Sequence, residues 1–385
     1  MRLITALCVA LFLLLTPLHA SAQADPAMLP PVPAAPSVAA RSHILMEYHS
    51  GTVLAENAAD ERMDPASITK LMTAYAVFSE LRKGEMALDD MVTVSERAWR
   101  TGGSRMFIEV GTRVRVDQLI RGMIIQSGND ASVALAEYTA GTEAAFAELM
   151  NEYARRLGMR NTNFRNSTGL PAEDHYSSAR DIALLAAAII REFPEFYSLY
   201  SEREYTYNEI TQRNRNKMLW RDPSVDGIKT GMTDAAGYCL VSSAERGEMR
   251  LISVLLGTRS DKARADATQA LLNWGFRFYE SHRVYAANEP VTTTRLWKGE
   301  VDELPLGLQE DLWVTLPRGR YEFIEATMEL QSPLIAPVVP EEAVGRLRLT
   351  LEGQSLADLQ LYPLARVAEG SLLQRAVDSV QLWFE

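Results

Sequence analysis

The sequence predicts an α/β (α+β) domain in which an antiparallel sheet is flanked by a helical cluster. A small all-β sandwich and a C-terminal amphipathic helix follow it. Three observations carry this expectation. Strand-like runs stand at both ends of the stretch from about residue 42 to residue 279, with helical periods between them. After His282 the pattern changes to short alternating runs separated by turns. At the end of the chain Leu372, Leu373, Ala376, Val377, Val380, Trp383 and Phe384 recur at helical spacing. The 385 residues exceed one ordinary domain. With 47% hydrophobic and 23% charged residues, wholesale disorder is excluded. Acidic residues outnumber basic ones, 50 to 39, for a net charge of −11. That balance argues against nucleic acid as a partner, which needs a cationic face.

The chain opens with Met1-Arg2, an apolar run over residues 3–15, Pro17 and a small-residue exit at Ala20-Ser21-Ala22. Residues 1–22 therefore read as a secretory signal, cut after Ala22 or, through Ala22-Gln23-Ala24, after Ala24. A membrane anchor is the other reading, but the run is shorter than the roughly 20 residues a span needs. Cleavage removes Cys8 and leaves Cys239 alone, so neither an internal disulfide nor a cysteine zinc site is expected. The five histidines show no metal-ligand spacing, and no metal is expected. Residues 23–40 carry Pro26, Pro30, Pro31, Pro33 and Pro36 among alanines and read as an extended leader.

The main domain is expected over residues 41–284. His43 to Tyr48 reads as a strand, with Gly51-Thr52-Val53-Leu54 returning as its hairpin partner. Helical periods follow over residues 68–81, 116–125, 131–138, 144–157 and 179–191. Residues 237–243 and 250–256 read as adjacent strands, joined by Glu245-Arg246-Gly247-Glu248, and residues 263–278 as a last helix. The β-sandwich is expected over residues 285–368, with strands over 291–297, 312–316, 321–330 and 347–351. The amphipathic helix falls in residues 369–385.

Three short elements could carry chemistry. Asp64-Pro65-Ala66-Ser67-Ile68-Thr69-Lys70 reads as a helix start, with Asp64 as N-cap and Pro65 at the first helical position. Ser67 and Lys70, three apart, share a face of that turn. A serine hydroxyl attacks only once a base takes its proton, and a lysine is such a base only if burial or a neighbouring cation lowers its pKa. Ser127-Gly128-Asn129, after an apolar helix, offers a hydroxyl and an amide. Lys229-Thr230-Gly231 sets a cation and a hydroxyl on an edge strand, where Gly231 would admit a substrate backbone. Taken singly these are a capped helix with a solvated lysine, a helix–helix loop and a hairpin turn.

Together and in this order they match the signature of penicillin-binding proteins and serine β-lactamases. The flanks agree too: Met63 to Met72, Gln126-Ser127-Gly128-Asn129-Asp130-Ala131 and Val225-Asp226-Gly227-Ile228-Lys229-Thr230-Gly231. From about residue 40 onward the chain resembles the D-alanyl-D-alanine carboxypeptidase family, the low-molecular-mass penicillin-binding proteins. The resemblance implies Ser67 as nucleophile, Lys70 as general base, and Ser127 and Asn129 as proton relay and amide holder. Lys229, Thr230 and Gly231 would complete the site, with Lys229 helping to keep Lys70 neutral. Backbone N–H groups of Ser67 and Met232 would form the oxyanion hole. Arg264 would bind the terminal carboxylate, although Arg259 and Lys262 lie nearby and a solvated Arg264 is the alternative. No cofactor is implied.

Two departures bear on the choice within the family's relatives. Met232 stands where some members carry histidine. Gly128 stands where class A β-lactamases carry aspartate, and no Glu-x-x-Leu-Asn stretch is present. These favour a serine carboxypeptidase acting on peptidoglycan pentapeptide and acylated by β-lactams. A β-lactamase and a catalytically weak wall-binding scaffold are the alternatives. The resemblance further implies a periplasmic enzyme held peripherally to the outer face of the inner membrane by its C-terminal helix. The other reading packs that helix on the β domain.

Overall fold

The structure, a computed structural model, describes residues 31–384; the expected signal and the first part of the leader lie outside them. Strand β1 (Ser42–Glu47) and β2 (Val53–Asn57) form the first hairpin. The chain then builds helices α1 (Lys70–Lys83), α2 (Val116–Ile125), α3 (Asn129–Ala140), α4 (Glu143–Arg156) and α5 (Ala179–Glu192). It returns as β3 (Val225–Thr233), β4 (Gly237–Arg246) and β5 (Met249–Thr258), and α6 (Asp261–Phe278) closes the domain. The sheet order is β2-β1-β5-β4-β3, antiparallel throughout, which leaves β3 at an edge.

The near-continuous apolar reading of β5 follows from burial on both faces. Ile252, Val254 and Leu256 join Ile44 and Met46 in the core beneath the helical cluster. The alternate residues Leu251 and Leu255 join Leu45 beneath Leu271, Leu272 and Trp274 of α6. Helix α1 is buried without interruption from Lys70 to Ser79, which makes it the central helix of the cluster. Side-chain caps start α4, α5 and α6, where Thr142, Ser178 and Ser260 each accept from a backbone N–H three residues on.

The expected cap at Asp64 is absent. Pro65 leads into a 3-10 turn, Ala66–Thr69, that has no side-chain cap, and the α-helix begins only at Lys70. Ala66 sits at φ +47°, so the residues after Asp64 do not present the consecutive helical N–H groups that a capping carboxylate needs.

Residues 32–40 hold no helix or strand, as their prolines dictate, but they lie against α6. Val32, Ala35 and Val38 pack on its core, and Trp274 Nε1 donates to the Pro33 carbonyl at 3.0 Å. Beyond α6, strand β6 (Tyr279–Tyr285) follows without a break. Next come β7 (Pro290–Arg295), β8 (Glu303–Gly307), β9 (Leu312–Pro317), β10 (Ile324–Leu330), β11 (Gly345–Leu351) and β12 (Gln354–Pro363). They form a five-stranded sheet in the order β7-β8-β12-β11-β10 and a β6-β9 ribbon. The two parts meet where His49 stacks on Trp313 at 4.1 Å. There the buried Glu47 carboxylate accepts from the Thr315 hydroxyl at 3.1 Å.

Helix α7 (Leu372–Gln381) touches the β domain through its polar side. Asp378 is buried and accepts from the Lys298 N–H, and Arg295 donates to Gln381 at 2.7 Å. Its apolar stripe points away: Leu372 is 82% exposed and Trp383 91%.

Candidate active site

Ser67 lies in the 3-10 turn and Lys70 opens α1, with Lys70 Nζ 3.1 Å from Ser67 Oγ. Lys70 is 2% exposed. Its amine donates to Asn129 Oδ1 at 2.7 Å and to the Thr168 carbonyl at 2.6 Å. Neither partner is a carboxylate. Burial pulls its pKa down to about 7; Asp130 and, more weakly, Glu143 oppose the shift while Arg215 adds to it. An unprotonated amine has two N–H bonds and one lone pair. With the two N–H bonds directed at Asn129 and Thr168, the lone pair is left for the Ser67 hydroxyl.

The second element turns sharply between α2 and α3, with Ser127 at φ +66°. Asn129 is locked on both sides, because its Nδ2 donates to the Gly102 carbonyl at 2.6 Å while its Oδ1 faces Lys70. Asp130 is buried beside it. Its carboxylate accepts backbone N–H groups from Met106, Phe107, Ile108 and Ala131, fixing the 102–108 loop to the start of α3. Glu143 plays the same part for another loop. It accepts from the Ser167 N–H at 3.0 Å and its hydroxyl at 2.8 Å, so holding the segment whose Thr168 carbonyl meets Lys70.

The third element lies on the edge strand β3 rather than in a turn. Lys229 is buried and donates to Ser127 Oγ at 2.8 Å and to the Thr230 carbonyl at 3.0 Å. Burial first, then the charges of Lys70, Arg215 and Arg264, lower its pKa well below the ordinary lysine value. Gly231 differs from the expectation in what its missing side chain admits. A Cβ there would stand 3.1 Å from the Pro65 carbonyl oxygen and 3.2 Å from Ala66 Cβ. The space is filled by the turn that carries Ser67, and this packing brings edge strand and Ser67 side by side.

A cleft of about 380 Å³ opens over these elements, lined by Ser67, Ser127, Thr230, Gly231, Met232 and Arg264 among others. Lys70, Asn129 and Lys229 stand behind that lining, buried. Arg264 is held within the protein, since its Nη1 donates to the Gly231 and Cys239 carbonyls at 3.1 and 3.0 Å. Arg213, Arg215 and Lys217 line the same cleft. Sequence reasoning passed over them, although the basic run Arg213-Asn214-Arg215-Asn216-Lys217 was a visible signal. Asp130 was visible too, next to the second motif. Thr168 gave no signal, because it contributes a backbone carbonyl. Cys239 is buried with its pKa pushed up to about 11, mainly by burial, as suits a small core residue.

A serine and a buried amine at the start of a central helix, facing an edge strand across a cationic cleft, define a serine acyl-transfer enzyme. A family model described as D-alanyl-D-alanine carboxypeptidase matches residues 30–260, and one described as penicillin-binding protein 5, C-terminal domain, matches residues 279–369. The D-alanyl-D-alanine carboxypeptidase DacA of Escherichia coli K12 is 43% identical over 100% of this chain and 96% of its own. DacC of the same strain is 46% identical over 91% of this chain and 90% of its own. Penicillin-binding protein 5 from Haemophilus influenzae superposes with a TM-score of 0.83 at 40% identity, over 87% of this chain and 99% of that one. Penicillin-binding protein D2 of Listeria monocytogenes in its ampicillin-bound form is similar over 63% of this chain and 100% of that one (TM-score 0.59, 30% identity). The chain belongs to the D-alanyl-D-alanine carboxypeptidase family and is a serine-type carboxypeptidase of the cell wall.

Proposed function

We propose that Ser67 attacks the carbonyl of the penultimate D-alanine of a peptidoglycan pentapeptide while Lys70, unprotonated, takes its proton. The new C–O bond makes a tetrahedral oxyanion facing the N–H groups of Ser67 and Met232. Ser127, hydrogen-bonded to Lys229, passes its proton to the departing amine and takes one back from Lys70, which is left unprotonated again. The C–N bond breaks, D-alanine leaves, and an ester on Ser67 remains. Water then hydrolyses the ester: Lys70 takes a proton from the attacking water and hands it to Ser67 Oγ as the ester C–O bond breaks. Asn129 and Thr230 hold the substrate amide along edge strand β3, and Arg264 receives the terminal carboxylate. β-Lactams enter the same sequence at the acylation step.

The observation that carries this reading is the environment of Lys70, a buried amine with two neutral acceptors beside a serine hydroxyl. The test is D-alanine release from a pentapeptide, run beside penicillin hydrolysis. Release of D-alanine with slow penicillin turnover is expected. Fast penicillin hydrolysis without D-alanine release would make the protein a β-lactamase, and neither activity would make it a scaffold.

The finer localisation is part of the proposal: periplasmic, with α7 lying on the outer face of the inner membrane. The outward apolar stripe ending in Trp383 and Phe384 supports it. No helix among the described residues is long and apolar enough to cross a membrane. Arg375, the one basic residue from position 370 onward, pairs with Glu369 at 2.5 Å, so apolar burial rather than charge governs attachment.

A further inference from the structure

Asp261 is the one acidic residue among the described residues lining the active-site cleft, and both its carboxylate oxygens are engaged. Oδ1 accepts from Arg264 Nη2 at 2.5 Å, and Oδ2 pairs with Lys217 Nζ at 2.5 Å. Lys217 comes from the segment leading to the short helix at residues 218–221, whereas Asp261 opens α6, so the pair joins two separate elements at the cleft. The Arg264 side chain does not need Asp261 to hold its position. Its Nη1 is fixed on the carbonyls of Gly231 and Cys239, and the group is 7% exposed. What Asp261 occupies is the Nη2 end of the guanidinium, the donor left over once Nη1 is bound to the two carbonyls, and the one a substrate carboxylate would need.

We propose that Asp261 is a built-in competitor for the substrate's terminal carboxylate. In the free enzyme it clasps Arg264 and Lys217, and a docking carboxylate displaces it from Arg264. This rests on the reading of Arg264 as the carboxylate receptor. The clasp tempers the preference for a free carboxylate rather than acting on the chemistry, because only a free carboxylate has to displace Asp261. A ligand with a free carboxylate replaces the lost ion pair, whereas an ester or amide terminus leaves Asp261 in place. It also lowers affinity for the correct substrate, because one anion already sits in a cleft otherwise rimmed by Arg213, Arg215, Lys217 and Arg264.

The readout is the ratio of kcat/KM for a peptide ending in D-alanyl-D-alanine to kcat/KM for its C-terminal methyl ester. Asp261→Asn should raise that ratio by about three- to tenfold, mostly through KM. Asp261→Glu, which keeps the charge, should stay near the wild-type ratio. Lys217→Met should lower it, because Asp261 then turns wholly to Arg264. A ratio unchanged or lowered in folded Asp261→Asn overturns the clasp, and so does a ratio unmoved in Lys217→Met. Arg264→Ala separates the two levels. If it leaves the ratio unchanged, the carboxylate-receptor reading fails. If it collapses the ratio while Asp261→Asn does not raise it, the clasp alone fails.

Discussion

In the proposed mechanism Lys70 is the residue on which the chemistry turns, and its surroundings give it a sign. The unprotonated amine is the active form, so the acylation rate should rise as pH climbs through about 7. Lys70→Arg puts a permanent charge where the mechanism needs a free amine, and it accepts no proton at neutral pH. Penicillin acylation, followed by stopped-flow fluorescence, should fall by roughly 10²–10⁴-fold; a loss below tenfold would place the base elsewhere. Asp130 makes a separate prediction. Its negative charge favours protonated Lys70, so Asp130→Asn should move the acidic limb of the acylation profile to lower pH. The same change keeps one acceptor oxygen but leaves the Phe107 and Ile108 N–H groups of the 102–108 loop facing an amide NH2. It should cost about 2–4 kcal/mol in urea unfolding. A stability loss with the pH limb unmoved would make Asp130 structural only.

At the scale of elements, the long helices and the central strands were legible because their periods are strong. Residues 116–125 read as a helix and form α2, and residues 250–256 read as a strand and lie within β5. Strand β12 was not legible. Its burial is confined to Leu361 and Pro363 near its end, so most of its length carries no buried face for a pattern to report. Strand β8 hides behind Pro305 within five residues. The site shows the same division. Side chains within motifs could be read, but the Thr168 carbonyl depends on a loop that only the fold brings to Lys70. Gly169 is the hinge of that loop. It sits at φ +80°, and a Cβ there would lie 1.8 Å from the Ala66 carbonyl oxygen, a backbone atom that cannot swing aside. Gly169→Ala should therefore cost roughly 1–3 kcal/mol, and should lower the acylation rate of the protein that still folds. Unaltered kinetics and melting would mean that the loop is free to move.

For the whole molecule, the proposed attachment through α7 concerns where the catalytic domain works rather than what it does. Deleting residues 370–385 should shift the protein from the membrane to the soluble fraction with D-alanine release retained, whereas high salt alone should release little. Failure of the full-length protein to co-sediment with liposomes would remove the anchor. All of this presumes that one serine carries the acyl group. The most direct test is intact-protein mass spectrometry after exposure to benzylpenicillin, for the wild type and for Ser67→Ala. The wild type should gain one penicilloyl group, mapped to the peptide containing Ser67, and a Ser67→Ala protein with a nearly unchanged melting transition should gain none. A stoichiometric adduct on folded Ser67→Ala would contradict the assignment.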